Sequence, residues 1–182
     1  MYDWEQLKQI CDSCSKCQLC KTRTNVVFGV GPQDADIMFI GEGPGEQEDI
    51  KGEPFVGAAG RFLDDMLSII DLSRNNCYIA NIVKCRPPNN RDPLDEEQDA
   101  CINYLRNQAK IIVCLGRIAA KRIIDPEYRI TKQHGSWILR NGIWMTAMYH
   151  PSALLRDASK RPETFEDLLM LQSKLLEIGA RI

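Results

Sequence analysis

The feature that most narrows the folds open to this chain is the alternation of short apolar runs with segments of helical spacing. Asp36-Ile37-Met38-Phe39-Ile40 is an apolar run stopped by Gly41, and Cys77 to Val83 is a second run with β-branched and aromatic character. Both read as buried strands. Between them, over 58–72, Ala59, Phe62, Leu63, Met66, Ile69 and Ile70 fall at helical spacing, with Asp64 and Asp65 turned away. The order repeats, with a helix expected over 95–109, a strand over 111–115 closed by Gly116, and a short helix over 118–124. Segments 136–139 and 143–148, separated by Arg140-Asn141-Gly142, read as a hairpin or strand pair, and 163–178 as a closing amphipathic helix. Such alternation predicts an α/β fold with a parallel sheet covered on both faces. No repeat, low-complexity tract or linker interrupts it, so residues 1–182 are expected to form a single domain.

That architecture has a functional corollary. In open α/β sheets ligands bind beyond the carboxyl ends of the strands, where connecting loops and helix N-termini converge. The unusual residues of this chain lie at those ends. Gly41-Glu42-Gly43-Pro44-Gly45 follows the first strand, Asn81 lies late in the second, and His150-Pro151-Ser152 follows the last. A nucleotide phosphate cradle is one reading of the Gly-rich turn, but it lacks the Gly-Lys-Ser/Thr of a P-loop and brings glutamates that repel phosphate.

Met1 to Ile10 is polar and acidic, and no segment reaches the roughly 18 apolar residues needed to span a bilayer. A soluble, cytoplasmic protein with no membrane partner is therefore expected. The formal net charge of -2 and pI near 5.8 exclude a protein that holds nucleic acid mainly by bulk electrostatics. Any such contact needs a local patch, for which Lys84, Arg86 and Arg91 in one loop and Arg156, Lys160 and Arg161 in another are the candidates.

Eight cysteines in a chain without an export signal point to metal binding or redox chemistry. Cys14 and Cys17 form a C-x2-C pair, and Cys85 and Cys101 are separated by fifteen residues. Four such thiolates can close around a [4Fe-4S] cluster or a tetrahedral zinc. Because Cys11, Cys14, Cys17 and Cys20 recur every third residue, the N-terminal run could also hold a metal by itself, and spacing does not choose. Cys77 and Cys114, inside apolar strands, read as buried free thiols.

Several motifs together carry a resemblance: Cys14 and Cys17; 23–29, RTNVVFG; 41–49, GEGPGEQED; 54–57, PFVG; 81–88, NIVKCRPP; and 150–156, HPSALLR. In order and spacing the chain resembles the family 4 uracil-DNA glycosylases, which carry an iron–sulfur cluster. The resemblance implies a three-layer α/β/α sandwich with a central mainly parallel sheet. It also implies hydrolysis of the N-glycosidic bond of uracil in DNA, and a structural [4Fe-4S] cluster on Cys14, Cys17, Cys85 and Cys101. Cys11 and Cys20 are left as extra thiols. A neighbouring family traps the abasic sugar through a histidine in a basic insert; here the loop after Asn81 lacks that insert, and no lysine is placed for a Schiff base, so neither a covalent product nor a lyase step is expected.

The resemblance assigns roles residue by residue. Phe55 is the stacking plate for the extruded base. Asn81 reads its edge, because one amide offers an acceptor for uracil N3–H and a donor for O4, and both contacts fail with cytosine. His150, with backbone N–H groups of the Gly41 to Gly43 turn, stabilises the negative charge on departing uracil O2. The wider superfamily often places a water-orienting aspartate where this chain has Gly43, so Glu42 and Glu48 are the available carboxylates. Leu154, rather than Leu155, is the expected wedge in the vacated stack, with Arg156 and Arg86 as DNA contacts. His134 is read as a surface loop residue without a role. The expected partner is uracil-containing DNA, single- or double-stranded, bound by a nucleoid-associated monomer with a sliding clamp as candidate protein partner. The alternative from another class is a noncatalytic iron–sulfur DNA-binding or polymerase-associated module of the same fold. A zinc-bearing nucleotide hydrolase is a third.

Overall fold

A computed structural model describes residues 3–105 and 109–181. Its strands are β1 (Ile37–Gly41), β2 (Tyr78–Asn81), β3 (Ile111–Leu115), β4 (Ile138–Arg140) and β5 (Ile143–Met148). Its helices are α1 (Trp4–Asp12), α2 (Glu46–Lys51), α3 (Ala58–Ser68), α4 (Asp95–Cys101), α5 (Arg117–Ile123), α6 (Ile130–Gln133), α7 (Pro151–Arg156) and α8 (Arg161–Glu177). The strands form one sheet in the order β2-β1-β3-β5-β4. β2, β1, β3 and β5 are parallel, with Met38 opposite Tyr78, Ile37 opposite Ile111, and Ile111 opposite Trp144. β4 is the antiparallel edge. It joins β5 through Asn141 and Gly142 at φ 53° and 80°, the left-handed pair that a two-residue hairpin turn requires and that Asn-Gly adopts most readily.

Successive strand residues point to opposite faces, and both faces are buried. Ile37 and Phe39 of β1 pack with Leu63 and Leu67 of α3, Leu154 of α7 and Leu171 of α8. Met38 and Ile40 pack on the other side with Leu7 and Cys11 of α1 and Ala119 and Ala120 of α5. The expected α/β/α sandwich with a mainly parallel sheet is the fold observed.

Differences lie in the short helices. α1, α2, α6 and α7 were not anticipated. The helix expected over 95–109 stops at Cys101, with a 3-10 turn over Ile102–Tyr104. The N–H groups of Lys110 and Ile111 both donate to the Asp36 carbonyl, at 2.8 and 3.0 Å, which commits this stretch to β3. Residues 106–108 of that expectation lie outside the described residues.

Asp36, 5% exposed at the side chain, anchors the C-terminal segment to the sheet. Burial alone would raise its pKa, but the Arg181 N–H at 2.8 Å and the Lys110 ammonium at 2.9 Å outweigh it and hold the carboxyl at about 2. A depressed carboxylate pKa contributes stability that is present above the unfolded value near 3.8 and lost as pH falls through 2. Lys110 is about half exposed, so solvent screening keeps the gain small. Asp36→Asn should lower the melting temperature at pH 7 by a few degrees, corresponding to about 1–2 kcal/mol. Thermal unfolding followed by circular dichroism should show the difference from wild type shrinking as the pH approaches 2.

Candidate active site

The chain leaves β1 toward β2 on one side and returns to β3 on the other, which opens a crevice at their carboxyl ends. A cavity of about 600 Å³ occupies it, lined among others by Glu42, Phe55, Asn81, Gly116 and His150. Two glycines make room. A Cβ on Gly41 would lie 2.4 Å from Asn81 Oδ1 and 2.5 Å from Phe55 Cζ. One on Gly116, at φ +90°, would lie 2.9 Å from His150 Cβ. The N–H groups of Ile82 and Val83 donate to the carbonyls of Gly41 and Glu42 at 2.9 and 3.2 Å, which ties the Gly-rich turn to the segment carrying Asn81.

Phe55 sits at φ 55°, a conformation that a bulky residue keeps only when its surroundings over-determine it. Glu48 does so from one side. Its Oε1 accepts from the N–H groups of Val56 and Gly57 at 2.8 and 2.9 Å, and its Oε2 from Gly45 N–H at 3.2 Å. Arg74, paired with Asp64 at 2.8 Å, does so from the other, donating to the carbonyls of Pro54 and Phe55. Gly60 is required beneath, because a Cβ there would overlap the Phe55 carbonyl oxygen. The phenyl ring so held lies nearly parallel to the His150 imidazole, with centroids 5.6 Å apart.

Asn81 is 2% exposed, and its Oδ1 is a buried acceptor with no hydrogen-bond partner among the described residues. An unmet buried acceptor costs about 1–3 kcal/mol, a penalty that a ligand donor entering the cavity relieves. His150 is the N-cap of α7. Its Nδ1 accepts from Ser152 N–H at 3.1 Å and lies 2.8 Å from Ser152 Oγ. A backbone N–H can only donate, so Nδ1 is bare and the neutral ring carries its proton on Nε2. Burial, reinforced by the charge of Arg156, pushes the His150 pKa down to about 4. The residue is a neutral N–H donor at physiological pH.

The two candidate carboxylates differ. Glu48 is not a solvated loop acid: it is the third residue of α2, and both its oxygens are engaged by backbone N–H groups that shape the turns beside the cavity. Glu42 is the carboxyl left to face the cavity. Burial first, then the charge of Asp92, raise its pKa to about 7 against the opposing charge of Arg117, which meets Asp92 at 2.6 Å.

Two of the residues expected to face DNA, Leu154 and Lys84, are buried. Leu154 is 1% exposed and belongs to the core beside α3 and α8; Leu155 is the exposed leucine of α7, at 42%. Lys84 is buried. Arg86 donates to Asn90 Oδ1 at 2.8 Å, Arg91 pairs with buried Glu97 at 2.7 Å, and Arg161 donates to the Leu154 carbonyl at 3.1 Å. Arg156 and Lys160 remain at the cavity rim. His134 is no bare loop residue, since its Nδ1 meets buried Asp167 at 2.8 Å and its ring packs against Tyr149. Asn90, Asp92, Arg117 and Ser152 line the cavity and had no role assigned from the sequence. For Ser152 a signal existed: a proline directly after a candidate cap marks a helix start.

Among the cysteines, Cys85 and Cys101 are buried, and Cys14 and Cys17 are half-buried in the segment after α1. Cys17 and Cys101 each lie within electrostatic reach of the other three, with Cys11 interacting with Cys14, Cys85 and Cys101, and Cys20 with Cys17. Arg23 donates to Cys85 Sγ at 3.2 Å and to the Cys14 carbonyl at 2.8 Å. Among the described residues no three Cys, His, Asp or Glu groups are drawn close enough to hold a single metal ion. The donor set is all thiol, the ligand chemistry that an iron–sulfur cluster takes.

Comparison with known proteins agrees with this geometry. The sequence model of the uracil DNA glycosylase superfamily matches residues 28–171. A type-4 uracil-DNA glycosylase of Archaeoglobus fulgidus is 46% identical over 85% of this chain and 84% of its own length. Those of Sulfurisphaera tokodaii and Thermotoga maritima are 45% and 42% identical over 90% and 98% of this chain, covering 80% and 100% of their own lengths.

The His150 tautomer is directly observable. Nitrogen-15 NMR of the imidazole should show a neutral ring protonated at Nε2 from pH 8 down to about 5, with titration only near 4. In Ser152→Pro, which removes the N–H that occupies Nδ1, the tautomer preference should be lost.

Proposed function

Since the chain belongs to the uracil-DNA glycosylase superfamily, we propose that it excises uracil from DNA by hydrolysing the N-glycosidic bond and leaves an abasic site, as one domain spanning the chain. The observation that carries the reading is the partnerless Asn81 Oδ1, buried beside Phe55 in a cavity that also presents a neutral His150 N–H. Uracil N3–H is the donor that acceptor lacks. The Asn81 amide N–H group is free to meet uracil O4 at the same time. Cytosine offers a bare N3 and an amino group, so each contact would leave a buried polar group unmet.

Extrusion of the base costs a few kcal/mol, offset by stacking on Phe55 and by filling the vacated stack. Leu155 is the side chain on α7 available for that filling, with Arg156 and Lys160 as phosphate contacts. As the bond breaks, negative charge gathers on uracil O2. His150 Nε2–H stabilises it without giving up its proton, because a ring that protonates only near pH 4 donates a hydrogen bond while remaining neutral. Glu42 orients water toward the sugar carbon and favours its positive charge once ionised. Glu48 acts by positioning Phe55.

The thiols of Cys14, Cys17, Cys85 and Cys101 are assigned to a [4Fe-4S] cluster, which when bound fastens the segment after α1 to the loop after β2 and to the end of α4. The all-thiol donor set and the Arg23 donor on Cys85 support the assignment. No helix among the described residues is long and apolar enough to cross a membrane.

With a single-uracil oligonucleotide and alkaline scission of abasic sites, wild type should cleave at uracil. His150→Ala should lose about 10²–10³-fold in kcat, the scale of one lost oxyanion donor. Asn81→Ala should lose uracil excision to a similar degree. Single-turnover rates should rise with pH with a midpoint near 7, as Glu42 loses its proton, and Glu42→Gln should be slower and lack that rise. Abasic sites absent from single- and double-stranded substrates with iron-replete protein would overturn the reading.

A further inference from the structure

Among the described residues, the buried charges are ion-paired or accept hydrogen bonds from N–H groups, except at Lys84. Asp36 meets Lys110 and Arg181, Glu97 meets Arg91, Asp167 meets His134, and Asp49 accepts from the N–H groups of Thr24 and Asn25. Lys84 is the one buried cation among the described residues, 1% exposed, and no carboxylate pairs with it there. Its Nζ donates to the Asn81 carbonyl at 2.9 Å and lies 5.9 Å from the Phe28 ring centroid. An ammonium enclosed in apolar surroundings with a single carbonyl partner is strongly disfavoured unless an anion stands nearby.

The anionic candidates around it are sulfurs. Lys84 lies within electrostatic reach of Cys11 and Cys101, its backbone N–H is directed at the Cys101 sulfur, and Cys85 follows it in the chain. A [4Fe-4S] core held by four thiolates is a net anion, and its potential depends on the charges and hydrogen bonds around it. We propose that Lys84 is the internal counter-charge of the cluster and the strut that ties it to the base-reading end of β2. The inference rests on the cluster assignment above. One side chain then serves both ends: its charge balances the sulfurs, and its N–H fixes the carbonyl of the residue whose amide reads the base.

The two roles separate by substitution. Lys84→Met removes charge and donor, Lys84→Gln removes the charge and keeps an N–H donor, and Lys84→Arg keeps the charge. The readouts are iron and sulfide content, the cluster midpoint potential by protein-film voltammetry, and KM and kcat on uracil-containing DNA. The neutral variants should show a more negative potential than wild type, or lose iron that Lys84→Arg retains, since an electron added to the cluster would lack its neighbouring cation. Lys84→Met should raise KM about fivefold with kcat little changed, the scale of one hydrogen bond worth about 1 kcal/mol, and Lys84→Gln should restore KM. A folded Lys84→Met protein with full iron and wild-type potential overturns the counter-charge, as does loss of iron from Lys84→Arg alongside the neutral variants. Iron-free wild-type protein, purified anaerobically and inert to reconstitution, overturns the cluster assignment together with this proposal; the unmoved potential overturns this proposal alone.

Discussion

A parallel sheet buried on both faces confines polar chemistry to its ends, and the rest of this protein follows from that constraint. Every residue of β1 and β2 is buried, so neither sheet face offers a surface for a polar ligand. Polar groups that must meet a substrate can stand only where the strands run out. Asn81 ends β2, Glu42 follows β1, Gly116 follows β3, and His150 comes two residues after β5. The chain reverses direction across the sheet between β1 and β3, so the loops part there and a cavity opens without any rearrangement of the core.

The cavity is kept ready by groups that do not themselves meet a base. Phe55 in a left-handed conformation is unfavourable by about 1–3 kcal/mol, and it persists because Glu48 captures the two N–H groups after it while Arg74 captures its carbonyl. Gly60 is as necessary as either, since any side chain there would occupy the place of that carbonyl. His150 is fixed by the start of the helix it caps, which selects the tautomer as well as the orientation. In both cases backbone N–H groups determine the state of a side chain, so its geometry does not wait on substrate.

This division explains what was legible in the sequence. The sandwich was readable because strand and helix periods alternate cleanly, and Asn81, Phe55 and His150, which motifs of matching order pointed to, line one cavity. The short helices were missed for a physical reason: α2 and α7 have six residues each, too few for a periodic apolar stripe, and their existence depends on capping and tertiary packing. α1 carried a usable signal in the Asp3 and Gln6 capping box. The resemblance favoured Leu154 over Leu155, and only the phase of α7 shows that Leu154 is the buried one, because adjacent helical residues point about 100° apart. The pairing of Glu48 with distant N–H groups and the burial of Lys84 are likewise tertiary facts, invisible to spacing.

Charge use shows the same economy. The chain is slightly acidic, and half of the candidate cations for a DNA-facing patch are engaged by the fold: Arg91 with Glu97, Arg161 at the surface with the end of α7, and Lys84 in the interior. Arg23 and Arg74, likewise, brace the thiol set and the Phe55 turn. What remains at the rim is Arg156, with Lys160 and Arg117 partly neutralised by Asp157 and Asp92. A few exposed cations supply weak, salt-sensitive attraction to phosphate and little retention on undamaged duplex. Under the proposed function, selectivity arises in the cavity, where an extruded base either satisfies the buried Asn81 acceptor or leaves it unmet. On that proposal, weak holding outside and an exacting test inside would let the protein release ordinary DNA quickly and stop where the missing donor is found.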